Sequence, residues 1–332
     1  MDKPSVLVTG GAGYIGSQVC KMLAEQNQSV VVIDNLSTGH TWTLPKAAIF
    51  YNCNIADTAQ VLEILSRHQL KSVIHMAASV DVNESMQNPI KYFQNNVTNA
   101  LHFLDACVRA QVKNFVFSST AAVYGNPKQS PVDELAPLCP ESPYGASKKI
   151  MEDILQSVAK SSGMSFAILR YFNVAGAALD GTLGQVTENA THLIKVASET
   201  AAGLRPSMKI FGSDYATRDG TAERDFIHIE DLAEIHLLML RHLHAGSHSE
   251  IFNCGYGKGF TVKEIVETMQ KISKNPFVVE MSERRLGDVE KVIANPQKLN
   301  RILQWKPRFN DIETICRTAF EWEVRRKKSL QS

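Results

Sequence analysis

Apolar residues in the first half of this 332-residue chain fall into short blocks that alternate between two periods. Residues 5–9, 30–33, 48–51, 72–76, 114–118 and 166–170 are strand-length runs. Val30-Val31-Val32-Ile33 is an unbroken β-branched stretch, as suits a strand buried on both faces of a parallel sheet. Between them lie segments of helical spacing at 17–26 and 58–68, and a long one opened by Asn88 as N-cap with Pro89 at the first helical position. In that long helix Phe93, Val97, Leu101, Leu104 and Val108 predict the buried stripe. The alternation predicts an α/β fold, a doubly wound parallel sheet of the Rossmann type.

The pattern changes after Tyr171. A small-residue loop at 176–184 leads to a short strand at 226–228 and a helix over 231–243. Thr261 and Glu264 form a capping box that opens a further helix. A strand at 292–294 and the Trp305-Lys306-Pro307 turn follow. The expected division is a cofactor-binding domain over 1–173, with a return segment near 224–253, and a smaller mixed α/β substrate domain over 174–332. A cleft beside the sheet is the expected substrate site.

Composition narrows the partners. The chain is 44% hydrophobic and 21% charged with a formal net charge of +1, which gives no argument for nucleic-acid or membrane binding. No apolar run is long enough to span a bilayer, and Met1-Asp2-Lys3-Pro4 leaves no room for a signal peptide before the first strand. The six cysteines are scattered without a Cys-x-x-Cys pair, so free thiols in a cytoplasmic protein are expected. His236, His242, His244 and His248 read as helix-end and loop residues, and no metal site is expected.

Candidate chemistry begins at the first turn. Gly10, Gly13 and Gly16 follow a strand and open a helix, a spacing that allows a tight turn and close approach of backbone to a pyrophosphate. Asp34 closes the second strand, where a carboxylate accepts hydrogen bonds from a ribose diol and repels a 2′-phosphate. Asn35-Leu36-Ser37-Thr38 brings no Arg or Lys, so NAD is favoured over NADP. Tyr144 and Lys148 stand four apart on one helical face, where an ammonium beside a phenol lowers its pKa and makes it a usable general base. Ser118-Ser119-Thr120-Ala121-Ala122-Val123-Tyr124-Gly125 places small hydroxyl residues at the end of the fifth strand.

Together these residues resemble the extended short-chain dehydrogenase/reductase family over nearly the whole chain. The stretches at 8–17, 113–125, 142–148, 170–177, 224–228 and 283–288, with Trp305-Lys306-Pro307, are most similar to its UDP-glucose 4-epimerases. The resemblance implies reversible 4-epimerisation of a UDP-hexose through a 4-keto sugar and tightly bound NAD. It makes Tyr144 the acceptor of the sugar 4-hydroxyl proton, Lys148 its partner and a holder of the nicotinamide ribose, and Thr120 a hydrogen-bond partner of the same hydroxyl. It places Asn173, His192, Leu193 and Asp288 at the UDP-sugar, and Arg224 and Arg285 on its diphosphate, a task that suits the guanidinium fork. The cofactor contacts it implies are Gly10, Gly13, Tyr14, Ile15, Gly16, Asp34, Asn35, Asn54, Ile55, Ala77, Ala78, Asn96, Ser118, Tyr144, Lys148 and Tyr171. A homodimer through the helices near 89–108 and 144–161 is also implied.

Two alanines after Thr120 count against the related dehydratases, which carry an acid pair there to eliminate water, and against the related decarboxylases, which carry a Glu nearby. The chain also departs from the epimerase pattern. Asn54 replaces an Asp, Val80 a Lys near the cofactor, Lys195 a Pro, and Val174-Ala175 a Pro-Val pair. Val292 falls near the residue that gates N-acetyl sugars, where strict glucose/galactose enzymes carry Tyr, so UDP-N-acetylhexosamines are expected as further substrates. Alternative readings are another UDP-sugar epimerase, acting on a UDP-glucuronate or UDP-pentose, and a non-catalytic NAD-sensing protein on the same fold.

Overall fold

The computed structural model describes residues 5–188, 190–285 and 287–331. The first half runs β1 (Val6–Thr9), α1 (Tyr14–Glu25), β2 (Val30–Asp34), β3 (Ile49–Asn52), α2 (Thr58–Arg67), β4 (Ser72–His75), α3 (Val82–Gln87), α4 (Pro89–Phe93), α5 (Ala100–Arg109), β5 (Asn114–Thr120), α6 (Pro143–Ser162) and β6 (Ser165–Tyr171). It continues through β7 (Asn173–Ala175), α7 (Leu193–Ala201), β8 (Ser207–Phe211), β9 (Glu223–His228), α8 (Ile229–His244), β10 (Glu250–Cys254), β11 (Gly259–Thr261), α9 (Val262–Ser273), β12 (Val278–Ser282), β13 (Lys291–Val292), α10 (Gln297–Leu303) and α11 (Ile312–Gln331). Two compact units result: residues 1–125, 138–171 and 233–252 in one, and 126–137, 172–232 and 253–332 in the other.

The first unit is built on a seven-stranded sheet in the order β3-β2-β1-β4-β5-β6-β10, with β1 to β6 paired in parallel. All residues of β1, β2 and β4 are buried, which suits the apolar blocks at 6–8, 30–33 and 73–74, while Thr9, Asp34, Ser72 and His75 are polar residues buried at the strand ends. Leu7, Val31 and Ile33 of the strands pack with Phe103, Leu104 and Leu155 of the helices in one core cluster. Strand order reverses at β1, between β2 and β4, and the carboxyl edge there is where a doubly wound sheet takes its ligand.

The second unit holds a four-stranded sheet, β11-β9-β13 with β7 also on β9, and a two-stranded parallel sheet of β8 and β12. Its core joins Ile194 and Ala197 of α7, Ile265 and Met269 of α9, Ile315 and Cys316 of α11, and Met208 and Ile210 of β8. The Thr261–Glu264 capping box forms with both reciprocal bonds.

Two expectations are corrected. The long helix after Pro89 is interrupted by a π-helical turn, Gln94–Asn99. The wider turn rotates the buried face, so Phe93 and Leu101 are 36% and 42% exposed, while Tyr92, Asn96, Ala100 and Phe103 are buried. Asn88 precedes α4 as expected, but its side chain makes no capping bond. Residues 233–252 fold with the first unit, whereas β9 pairs with β7, β11 and β13 in the second. Residues 126–137 also join the second unit, where Val132 N–H donates to Ile293 O and Asn295 N–H to Val132 O.

Candidate active site

The first turn has the geometry its glycines suggest. Gly10 has φ +69°, and a Cβ there would lie 2.8 Å from the Ala77 backbone nitrogen. At Gly16 a Cβ would lie 2.2 Å from the carbonyl oxygen of Gly10, so α1 packs against the turn only through glycine. Gly13 is the N-cap of α1, and among the described residues no side chain caps it. Tyr14 and Ile15 supply the first turn, so the helix start suits an anion.

Asp34 is buried at the end of β2; one carboxylate oxygen accepts from Ala12 N–H at 3.0 Å and the other from Leu36 N–H at 2.8 Å. Each oxygen keeps a second lone pair for a ribose hydroxyl, so this turn and carboxylate fit NAD. Asn35 and Asn54 follow β2 and β3, each accepting a backbone N–H two residues on, from Ser37 and Ala56. Ile55 is buried in the core beside them. Ala77 and Ala78 follow β4, and Ala77 N–H donates to Thr9 Oγ1 at 3.3 Å. Asn96, in the π turn, accepts from Ser79 N–H at 2.8 Å and donates to Ser79 O and Ser147 Oγ. Tyr171 is buried with its hydroxyl 2.5 Å from His236 Nε2, so that hydroxyl is held by α8.

Thr120, Tyr144 and Lys148 come together in the same unit. Ser142 caps α6 by accepting from Gly145 N–H at 3.1 Å, and Pro143 sits at its start, which fixes Tyr144 in the first turn. Gly145 allows the approach to β5's end: a Cβ there would lie 2.6 Å from Ala122 O. Burial raises the Tyr144 pKa, and the neighbouring Thr120 side chain lowers it by less. Lys148 is 3% exposed and donates to Ser118 O at 2.8 Å and Ser118 Oγ at 3.4 Å. Burial pulls its pKa down to about 7, and the Glu152 charge opposes that fall.

The remaining candidate residues lie in the second unit. Asn173 Nδ2 donates to Asp225 O at 3.0 Å, His192 is the N-cap of α7, and Leu193 begins that helix. These three line one pocket with Gln185, Lys195, Phe226, Trp322 and Glu323. Arg224, on β9, donates to Glu223 O at 3.0 Å and Glu290 O at 3.2 Å, and burial lowers its pKa against the opposing charge of Asp288. The Arg285 guanidinium lies over the Phe211 ring, 3.6 Å from its centroid, and Asp288 N–H donates to Arg285 O. None of the four histidines singled out in the sequence joins a metal cluster among the described residues. His236 bonds Tyr171, and His244 Nε2 lies 2.7 Å from Ser72 Oγ.

Several groups around the site escaped the sequence reading. Glu152 and Arg170 form a buried polar network with Ser119 and Tyr124 of the quoted stretch. Only the four-residue step from Lys148 to Glu152 signalled it. Tyr92 meets Tyr144 edge-on, with ring centroids 6.4 Å apart, and no local pattern marked that contact. Lys195, noted only as a replacement for proline, pairs with Glu323 at 2.5 Å and Glu199 at 3.0 Å in the pocket wall.

Comparison with known proteins agrees with this geometry. The NAD dependent epimerase/dehydratase family matches residues 6–255. The UDP-glucose 4-epimerase of Azospirillum brasilense is 43% identical over 327 residues, 98% of this chain and 94% of its own. Among solved structures, UDP-glucose 4-epimerase from Brucella ovis in complex with NAD superposes with a TM-score of 0.93 at 39% identity, covering 97% of this chain and 98% of that one. The UDP-Glc/GlcNAc 4-epimerase of Campylobacter jejuni superposes with a TM-score of 0.85 at 43% identity, covering 97% and 99%. With its parallel sheet, glycine turn and Tyr144–Lys148 pair, the chain belongs to the NAD dependent epimerase/dehydratase family.

Proposed function

We propose that this protein is a UDP-hexose 4-epimerase that interconverts UDP-galactose and UDP-glucose. The observation that carries the reading is the Thr120 side chain set against Tyr144 in the unit whose glycine turn fits NAD, with Ala121 and Ala122 directly after Thr120. Bound NAD supplies a reversible hydride acceptor for C4 of the sugar. Tyr144 takes the 4-hydroxyl proton and returns it, Thr120 orients that hydroxyl, and Lys148 keeps positive charge beside the phenolate. The two alanines carry no proton donor, so elimination of water has no acid here.

The first unit is the cofactor-binding part and the second the substrate-binding part in this reading. Gly10, Gly13 and Gly16 with Asp34 hold the dinucleotide, and the other cofactor candidates surround it. Arg224 and Arg285 take the diphosphate, with Asp288 holding their loop, and Asn173, His192 and Leu193 take the rest of the nucleotide sugar. The smaller Val292 and the 43% identity to the enzyme named for UDP-Glc and GlcNAc favour acceptance of N-acetylhexosamines as well.

A homodimer is supported by Ile90, Phe93, Leu101 and Ile150, apolar residues left exposed on α4, α5 and α6. Among the described residues no helix is long and apolar enough to cross a membrane. Cytoplasmic location remains the proposal made from the free cysteines. The functional reading is tested by incubating the purified protein with UDP-galactose and analysing the nucleotide sugars. UDP-glucose is the expected product; its absence even with added NAD contradicts the reading.

A further inference from the structure

Tyr144, Lys148 and Glu152 follow one another at four-residue steps on α6, so one face of the helix carries a phenol, an ammonium and a carboxylate in order. Glu152 is 0% exposed and Arg170 2%. Arg170 grips Glu152 with two bonds, Nη2 to Oε2 at 2.6 Å and Nε to Oε1 at 3.0 Å, and the Ser119 hydroxyl donates to Oε1. Arg170 Nη1 also donates to the Tyr124 hydroxyl at 2.9 Å. A buried carboxylate held this firmly is a fixed negative charge one helical turn from Lys148 and two from Tyr144.

We infer that Glu152 is a positioning residue of the reaction: it decides which member of the Tyr144–Lys148 pair keeps their shared proton. Once the pair has lost one proton, two arrangements compete, phenolate with ammonium or phenol with amine. They carry the same total charge and differ only in where it lies. A negative charge nearer Lys148 than Tyr144 favours the ammonium and therefore the phenolate. Arg170 works in the opposite sense from the far side of Glu152. The other groups around the pair leave this role to Glu152. His75, on β4, is held neutral by burial and by Lys148 itself. Phe117 offers its ring face 5.0 Å from Nζ, and Ser118 only neutral oxygens. Tyr92 of α4 meets the Tyr144 ring edge-on and gives its hydroxyl to Glu84 of α3.

The inference rests on Tyr144 being the base, and its test does not need turnover. The phenolate absorbance of Tyr144 is taken as the difference between the NAD-loaded protein and its Tyr144→Phe counterpart, across mildly alkaline pH. In a Glu152→Gln background the phenolate-to-phenol ratio should fall about tenfold, the size expected for a charge one turn rather than two turns away. Glu152→Asp should restore most of it. Glu152→Gln leaves Arg170 buried without the carboxylate that balances its charge. If that unfolds the chain, as circular dichroism would reveal, the double variant Glu152→Gln/Arg170→Met gives the same readout with a smaller fall in the same direction, because the opposing charge of Arg170 goes with it. An unchanged phenolate ratio in either folded variant overturns the inference, even if the protein epimerises UDP-hexoses. A lowered ratio in a protein that turns over no UDP-hexose upholds it and removes the reaction instead.

Discussion

The ammonium of Lys148 donates to the main-chain oxygen of Ser118 at 2.8 Å, which ties α6 to the strand that ends in Thr120. The lysine is therefore anchored on the sheet, while the side chain that acts on the Tyr144 phenol most directly is that of Thr120. Its effect on the phenol is electrostatic, exerted along the helix face.

That anchoring has a cost in stability. Burial takes the Lys148 pKa from 10.5 to about 7. The unfolded chain thus holds this proton over a range in which the folded protein has released it. The penalty is fully present below about pH 7 and is relieved as pH rises from there towards the unfolded value. Lys148→Met should lower turnover by about a hundredfold or more. The same variant should raise folding stability at about pH 6 by about 1–3 kcal/mol, read from urea denaturation midpoints. A variant both inactive and less stable than the wild type would show that the lysine is structural.

Acid sensitivity should come from two buried histidines. His75 Nδ1 lies 2.7 Å from Thr9 Oγ1 and its ring stacks on Phe103 and Phe117; burial takes its pKa to about 3. His228 is lowered to about 4 for the same reason, with Arg308 adding to it. Both pKa values are depressed from 6.5, so their stability is present above the unfolded value and is lost as pH falls. The window runs from 6.5 down to about 4 for His228 and about 3 for His75. At about pH 5 each should have lost about 2 kcal/mol. Denaturation midpoints compared at neutral and acid pH measure this, and His75→Gln should flatten the dependence while lowering the neutral value.

Gly16 is the position where the cofactor turn tolerates least. A Cβ 2.2 Å from Gly10 O collides with backbone, which cannot swing aside. Gly16→Ala should release NAD and cost about 2 kcal/mol or more. Gly163→Ala has φ +69° but nothing within 4 Å of the added carbon, and should retain its NAD. NAD content of the two purified variants separates local backbone strain from a collapsed turn.

Val292 pairs with Arg224 in register and is buried. UDP-GlcNAc and UDP-GalNAc should be interconverted alongside UDP-galactose. Val292→Tyr should depress the N-acetyl reaction by about tenfold or more, with the hexose reaction retained. Failure with both N-acetyl sugars while UDP-galactose is converted would remove this specificity.

What the sequence disclosed follows what is local in it. β1 and β2 were legible because strands buried on both faces carry apolar blocks, here 6–8 and 30–33, and Gly10 and Gly16 because only glycine fits their contacts. Tyr144 and Lys148 were legible because a helix sets their spacing. The π turn at Gln94–Asn99 was not, since a 3.6-residue period fits either side of it and hides the rotation that exposes Leu101. Arg170 and Glu152 are eighteen residues apart and meet through the β5–β6 register and α6 packing, which no periodicity encodes. Residues 126–137 likewise joined the second unit through pairing with residues 293–295 that lie far along the chain.

The most direct test of the account is UDP-galactose turnover by the purified protein without added cofactor, beside Tyr144→Phe, with bound NAD measured in both. Conversion to UDP-glucose by the wild type, and a loss of about a thousandfold or more in a variant that keeps its NAD, is the predicted result. Wild-type rates from Tyr144→Phe, or no conversion by a wild type shown to hold NAD, would contradict it.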